Sequence, residues 1–128
     1  MTISKNDLIK SARAVQGKFT LSEDDLDAGS VSAALLTTNG NIYTGICIDL
    51  ACGIGFCAEH SAIAEMLKNR ETEIKMIVAV NATKVLPPCG RCRELMMQVD
   101  RKNRDTEVII SDEKSVALIE LLPYYWNS

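Results

Sequence analysis

Two short cysteine segments constrain the fold of this chain more than any other feature. The first is Cys57-Ala58-Glu59 and the second is Pro88-Cys89-Gly90-Arg91-Cys92. Each segment lies where an expected loop meets the start of an expected helix. The free backbone N–H groups and the dipole at a helix start favour thiolate over thiol. The two segments therefore predict a fold that uses two helix N-termini to carry three thiolates and one carboxylate.

Three thiolates are one ligand short of the usual tetrahedral zinc site. Structural zinc sites normally have four protein ligands, whereas catalytic sites leave one position for water. A lone C-x-x-C also fits a redox pair or two buried thiols, and His60 also fits an ordinary, partly buried histidine. Cys47, in an expected strand, and Cys52, in a glycine-containing loop, are further candidates with His60 for a fourth ligand. The sequence leaves these alternatives open.

Glu59 is the reason to prefer a catalytic site. A carboxylate beside an open metal position can take a proton from water and return it to a leaving group. A favourable charge at a helix start is the simpler explanation of a glutamate at this position, but a purely structural site has no use for it. We therefore expect Zn²⁺ held by Cys57, Cys89 and Cys92, with Glu59 as the catalytic residue.

Hydrophobic periodicity predicts a layered α/β fold, because strands alternate with helices along most of the chain. The later strands are expected to be mostly parallel. Asn39-Gly40 between two apolar runs predicts a hairpin. The expected helices cover residues 4–17, 57–69, 90–99 and 115–122; the expected strands cover 31–38, 42–49, 76–80 and 107–111; residues 19–30 are expected to form a loop.

Length and composition limit the classes of function. The chain has 128 residues, 47% of them hydrophobic and 24% charged, which fits one globular domain over residues 1–128. A formal net charge of −3 argues against a nucleic-acid partner. No apolar run approaches the ~20 residues that span a bilayer, and the first residues lack the apolar core of a signal peptide. A cytoplasmic protein with no membrane partner is expected.

The chain resembles the cytidine deaminase superfamily over nearly its whole length. Val31–Leu36 with Asn39-Gly40 resembles the first hairpin of the family, the two cysteine segments resemble its metal motifs, and Glu120–Pro123 resembles its C-terminal signature. The branches it resembles most are the small tetrameric cytidine deaminases and the blasticidin-S deaminases. The resemblance implies a three-layer α-β-α fold, one zinc per subunit, and a homotetramer whose subunits share active sites.

The resemblance also implies the reaction. Glu59 would move protons from water to the base ring and to the departing ammonia, during hydrolysis of the 4-amino group of a small nucleoside with a cytosine-type base. Deamination of blasticidin S is the alternative within the family. Alternatives of another class are a non-catalytic structural zinc protein and a nucleic-acid editing deaminase. The net negative charge of the chain disfavours the editing deaminase.

The positions that hold the sugar in the family differ in this chain. Gly29 replaces a phenylalanine, and Cys47 and Asp49 replace an asparagine and a glutamate. These three residues are the candidate substrate-binding residues. Asp49 has less reach than glutamate, Cys47 is a poor substitute for an amide, and Gly29 is expected to leave extra space. We expect weakened binding of plain cytidine and room for a bulkier nucleoside.

Three residues near the cysteines are candidates for an indirect role at the metal. His60 stands where the tetrameric relatives commonly have arginine. A donor or cation there would reduce the negative charge on the sulfur atoms. Arg91 and Arg93 are expected either to contribute to the same effect or to be solvated surface residues.

Overall fold

The computed structural model describes residues 2–127 and has one mixed sheet with helices on both faces. Within these residues, the helices are too short or too polar to cross a bilayer. The helices are α1 (Lys5–Ala14), α2 (Ala58–Lys68), α3 (Gly90–Val99) and α4 (Leu118–Leu121), with a 3₁₀ helix at Arg101–Asp105. The strands are β1 (Phe19–Thr20), β2 (Asp27–Thr37), β3 (Ile42–Asp49), β4 (Gly55–Phe56), β5 (Ile74–Val80), β6 (Val85–Leu86), β7 (Glu107–Ile109) and β8 (Ser115–Ala117).

The sheet combines an N-terminal hairpin with one parallel pair. The strand order is β4-β3-β2-β5-β7-β8, with β1 also paired to β2 and β6 to β5. β2 and β3 form the expected antiparallel hairpin, and β5 and β7 run parallel, as a crossover through α3 requires. β8 then pairs antiparallel with β7. The expected mixed α/β sheet is therefore confirmed.

Alternating side chains of the central strands build two cores, one on each face of the sheet. Ala34 and Leu36 of β2 pack in the cluster that contains Leu8 of α1. Leu35, between them, packs in the cluster that contains Ile63 of α2 and Met96 of α3. Because successive side chains of a strand point to opposite faces, an apolar run such as β2 is buried on both sides. The result is the three-layer arrangement that the family resemblance implied.

Two expectations about secondary structure were wrong. Residues 19–30 are a loop only at 21–26, because Phe19–Thr20 forms β1 and pairs with the start of β2 at Asp27 and Ala28. Backbone pairing with a neighbour holds this polar stretch extended, and an apolar pattern does not reveal such pairing. Residues 115–122 are not one helix, because Ser115–Ala117 pairs with the edge strand β7 before α4 begins.

α2 lies unusually close to the hairpin, and Gly45 of β3 is the reason. A Cβ atom at Gly45 would lie 2.4 Å from the backbone nitrogen of Ala62 and 2.7 Å from the carbonyl oxygen of Ala58. Any side chain at position 45 would therefore push α2 away from the sheet. This close approach holds the first turn of α2, which carries Glu59, against the end of β3.

Candidate metal and catalytic site

The sulfur atoms of Cys57, Cys89 and Cys92 meet where α2 and α3 begin. All three Sγ atoms lie within 4.8 Å of one another. The Sγ atom of Cys89 lies 3.4 Å from that of Cys57 and 3.5 Å from that of Cys92. Four-coordinate zinc with bonds of about 2.3 Å to sulfur holds its sulfur ligands roughly 3.8 Å apart. The two separations that involve Cys89 therefore match a zinc site to within a few tenths of an ångström, and the three thiols are grouped closely enough to hold the ion.

The local backbone explains why the three sulfur atoms converge. Cys57 and Cys89 are the N-cap residues of α2 and α3, and both have extended backbone angles. Cys92 lies in the first turn of α3, three residues after Cys89, and is buried. A spacing of three places two side chains on the same face of a helix. One cysteine from α2 and two from α3 thus point at a common centre.

The electrostatics of the three thiols differ. Burial raises the pKa of the Cys57 thiol, and the hydrogen bond to Cys89 adds to this. Burial also raises the pKa of the Cys92 thiol, and the nearby Glu59 carboxylate raises it further. At Cys89 burial acts in the same direction, but the backbone N–H of Cys92 and the neighbouring thiols outweigh it and lower the pKa. A dication among them would deprotonate all three, because metal coordination stabilises thiolate.

Glu59 is a buried carboxyl group beside the thiols. It is only 5% exposed and lies in the first turn of α2. Burial raises its pKa, while its own backbone N–H and the Cys92 thiol act in the opposite direction. Burying a carboxylate is costly without strong partners. A raised pKa in a cleft beside metal ligands is typical of a group that exchanges protons during catalysis.

A cavity of about 390 Å³ opens in front of this cluster. Its walls come from β2, the ends of β3 and β4, the start of α2, and the loop before α3. The lining residues are Ser30, Val31, Cys47, Ile48, Asp49, Phe56, Cys57, Ala58, Glu59, Ala79, Leu86, Pro87, Cys89 and Arg91. Of the candidate substrate-binding residues, Cys47 and Asp49 therefore share one cavity with Glu59 and two of the metal-site cysteines.

Gly29 stands apart from the cavity wall. It is buried with a φ of +86°, and a Cβ atom there would lie 2.3 Å from the carbonyl oxygen of Gly17. The position therefore faces the segment after α1, so the expected extra space for substrate does not arise from it directly. Its neighbour Ser30 lines the cavity instead.

The three candidates for an indirect role at the metal, His60, Arg91 and Arg93, have different surroundings. Burial and the positive charge of Arg91 lower the pKa of His60, which is therefore neutral near pH 7, and its buried Nε2 atom has no hydrogen-bond partner among residues 2–127. Arg91 is exposed and lines the cavity. Arg93 donates from Nε to the Pro88 carbonyl at 2.9 Å and from Nη1 to the Leu121 carbonyl at 3.1 Å. These two hydrogen bonds join the turn before α3 to the C-terminal segment.

Several lining residues were missed in the sequence. Ser30 and Val31 enter the cavity because of an irregularity in β2, which leaves no mark in the hydrophobic pattern. Phe56 follows the glycine-containing loop of Cys52, where the hydrophobic pattern predicts no strand, although an aromatic residue directly before Cys57 is a usable signal. Its strand β4 pairs Phe56 with Ile48, and this pairing brings the ring to the cavity.

The donor set and the fold define a class of protein. Three thiols leave one position of a zinc tetrahedron for water, and a non-ligating glutamate lies beside it, which is the arrangement of the zinc deaminases. This chain is a zinc-dependent hydrolytic deaminase.

Comparison with known proteins identifies the family. The model described as "Cytidine and deoxycytidylate deaminase zinc-binding region" matches residues 5–107, and the chain belongs to this family. A cytidine deaminase of Halalkalibacterium halodurans is 33% identical over 99 residues, which cover 73% of this chain and 74% of that protein.

Solved structures of similar fold are also cytidine deaminases. That of Mycobacterium tuberculosis has a TM-score of 0.81 at 22% identity, with 98% of each chain covered. That of Burkholderia pseudomallei has a TM-score of 0.76 at 26% identity, with 96% of this chain and 99% of that chain covered.

Proposed function

We propose that this enzyme hydrolyses the 4-amino group of a cytosine-type nucleoside and releases ammonia. The observation that carries the proposal is the shared cavity: the buried Glu59 carboxyl group and the cysteine cluster open into the same space. That space is of the size that small-molecule sites have. The similar proteins described above are cytidine deaminases, which supports a cytosine base as the group that enters the cavity.

The roles of the site residues follow from their positions. Cys57, Cys89 and Cys92 would hold zinc. When bound, zinc supplies a Lewis acid that makes water a better nucleophile near neutral pH. Glu59 takes the proton of the attacking water and passes protons to the ring nitrogen and to the departing amine. The carbon–oxygen bond forms first, as the ring nitrogen takes up a proton, and the carbon–nitrogen bond then breaks, so water and an amine become a carbonyl and ammonia.

Binding of the sugar would fall to the part of the cavity that β3 lines. Cys47 and Asp49 lie there, at the end of β3. A thiol is a weak hydrogen-bonding partner, and Asp49 is exposed. Losing one good neutral hydrogen bond costs roughly 0.5–1.5 kcal/mol. We infer that plain cytidine is processed about ten- to a hundredfold less efficiently than by a deaminase with an asparagine and a glutamate at these places.

A substrate panel tests the proposal. Ammonia release is measured with zinc-loaded protein on cytidine, 2′-deoxycytidine, base-modified cytosine nucleosides and blasticidin S, with adenosine as the negative control. We expect turnover of cytosine nucleosides and none of adenosine. Turnover of none of the cytosine compounds would refute the proposed function, and turnover of blasticidin S alone would move it to the antibiotic. A kcat/KM for cytidine near ~10⁶ M⁻¹s⁻¹, typical of efficient enzymes, would refute the weak sugar binding.

We further propose a homotetramer, on the strength of the family resemblance. Phe56 and Ile54 are exposed near the cavity, at 39% and 61%, and a neighbouring subunit would cover apolar groups of this kind. Light scattering at micromolar concentration is the test. A monomer mass would contradict the proposal.

A further inference from the structure

The strand that enters the cavity contains a pronounced bulge. The pairing of β2 with β3 passes from Ala28 opposite Ile48 to Ser32 opposite Ile46. Residues 29–31 of β2 therefore stand opposite Cys47 alone. Extra residues of this kind bend a strand and redirect its side chains, and they are common beside active sites. Here the bulge brings Ser30 and Val31 to the cavity wall.

The segment that follows α1 holds the bulge in place. The backbone N–H of Gly17 donates to the carbonyl of Gly29 at 2.9 Å. The side-chain amide of Gln16 donates to the carbonyl of Ser30 at 3.1 Å. Gly29 itself has a φ of +86°, a conformation that residues with a side chain rarely adopt. The hydrogen bonds to the carbonyls of Gly29 and Ser30 thus fix the orientation of Ser30 before any substrate enters.

Cys47 completes the arrangement from the opposite strand. The backbone N–H of Val31 donates to the Cys47 Sγ atom at 3.3 Å, and the Ser30 Oγ atom lies 3.3 Å from the same sulfur. The Cys47 thiol therefore already contacts two residues of the bulge and is poorly placed to bind a ligand directly. The Ser30 hydroxyl keeps further capacity, because a hydroxyl has one donor and two acceptor sites.

We infer that Ser30 is a specificity-determining residue that contacts a sugar hydroxyl of the substrate, and that Cys47 is the positioning residue that orients it. The inference rests on the proposed function, because it assigns a substrate group within the same cavity. A hydroxyl both donates and accepts, so it matches another hydroxyl in either orientation. Asp49 lies two residues beyond Cys47 on β3 and also lines the cavity, so it is available for a second sugar group.

The test compares four variants on three nucleosides. The variants are Ser30→Ala, Cys47→Ala, Cys47→Ser and the double variant Ser30→Ala/Cys47→Ala. Ser11→Ala is the matched control, because Ser11 donates to the Asp7 carbonyl on the far side of α1. The nucleosides are cytidine, 2′-deoxycytidine and 3′-deoxycytidine, and kcat and KM are measured separately. Zinc content and thermal unfolding show that each variant is folded and loaded.

We expect Ser30→Ala to lower kcat/KM for cytidine about three- to tenfold, mainly through KM, as loss of one neutral hydrogen bond predicts. The loss should shrink for the deoxynucleoside that lacks the contacted hydroxyl. Cys47→Ala should resemble Ser30→Ala, the double variant should lose little more than either, and Cys47→Ser should retain most activity. Ser11→Ala should match the wild type.

Two results would overturn the inference while leaving the proposed function intact. One is a Ser30→Ala enzyme that matches the wild type on all three nucleosides. The other is an equal loss on all three that persists on 5′-deoxycytidine, since neither the 2′-, the 3′- nor the 5′-hydroxyl would then be the group that Ser30 contacts. Additive losses in the double variant would overturn the positioning role of Cys47. Absence of turnover by the wild-type enzyme on every cytosine nucleoside would instead overturn the proposed function and this inference with it.

Discussion

The two ends of the cavity are built in different ways. At the metal end, each sulfur atom comes from an N-cap or the first turn of a helix, within two segments of three and five residues. In the part of the cavity where we propose that the sugar binds (the sugar end), the shape depends on a bulge in β2 that contacts both Cys47 and the segment after α1. Short motifs can encode the first arrangement. The second needs contacts between three parts of the chain, so the chemistry is easier to recognise in the sequence than the specificity.

The metal end should be the most sensitive to a single substitution. Cys89→Ala removes the sulfur that lies between the other two, so we expect loss of zinc, of turnover and of part of the stability, because metal binding and folding are linked. Elemental analysis of protein purified without chelators is the measurement. Cys52→Ala is the control, since Cys52 is exposed in a turn. Full zinc occupancy in Cys89→Ala would remove this residue from the metal site.

Glu59→Gln separates the proposed catalytic role of Glu59 from metal binding. The amide keeps the size of the side chain but cannot exchange protons, so we expect zinc and fold to remain while kcat falls by at least ~10²–10⁴. Glu65→Gln on the same helix is the control, because Glu65 forms a surface pair with Lys68 at 3.0 Å. Substantial turnover by Glu59→Gln would show that another group carries the protons.

The sequence predicted the metal end and the core layers well, for physical reasons that can be named. Helix periodicity placed α2 and α3, and C-x-x-C spacing placed Cys89 and Cys92 on one face of α3. Ser30 could not be found in this way, because its position depends on the hydrogen bond that its carbonyl accepts from Gln16 and on the contacts that Ser30 Oγ and the Val31 N–H make with the Cys47 sulfur of β3. The sequence suggests a role for Gly29 only through the side chain that it lacks. In the structure, this position is constrained instead by its backbone conformation and by the nearby Gly17 carbonyl.

Paired glycine substitutions can test whether the bulge controls the sugar end. Gly29 and Gly40 have similar φ values, +86° and +90°, but only at Gly29 would a Cβ atom meet backbone, 2.3 Å from the Gly17 carbonyl oxygen. Alanine at either position carries a conformational cost of roughly 1–2 kcal/mol, and at Gly29 the steric conflict adds to it. We expect Gly29→Ala to lower the free energy of unfolding more, and to raise KM for cytidine severalfold.

The Gly40→Ala variant shows whether the change in KM comes from the bulge or from general loss of stability. Gly40→Ala should lose stability in urea unfolding but keep the wild-type KM, because Gly40 lies at the hairpin turn, where the added Cβ atom would meet nothing within 4 Å. Equal changes in KM for the two variants would mean that the sugar end responds to general loss of stability and not to the bulge.

The smallest effect is expected at the far end of the same hairpin, where Glu71 accepts hydrogen bonds from Tyr43, Asn41 and Asn39. The hydrogen bond from the Tyr43 hydroxyl is the main cause that lowers the pKa of Glu71 from 4.5 to about 2. A carboxyl group with a lowered folded-state pKa stabilises the fold above its unfolded pKa, and that stability is lost as pH falls through the folded value. We therefore expect the wild-type melting temperature to fall between pH 4.5 and about 2.

Glu71→Gln should melt earlier than the wild type at neutral pH and lose this part of the pH dependence, so that the two proteins converge near pH 2. Glu23→Gln, in an exposed loop, is the control. Because the network joins the hairpin turn and Tyr43 of β3 to Glu71, in the loop after α2 and away from the bulge, KM for cytidine should not change in Glu71→Gln. If KM rose as much as in Gly29→Ala, the strands would transmit strain along their whole length, and the bulge would lose its status as the local determinant of the sugar end.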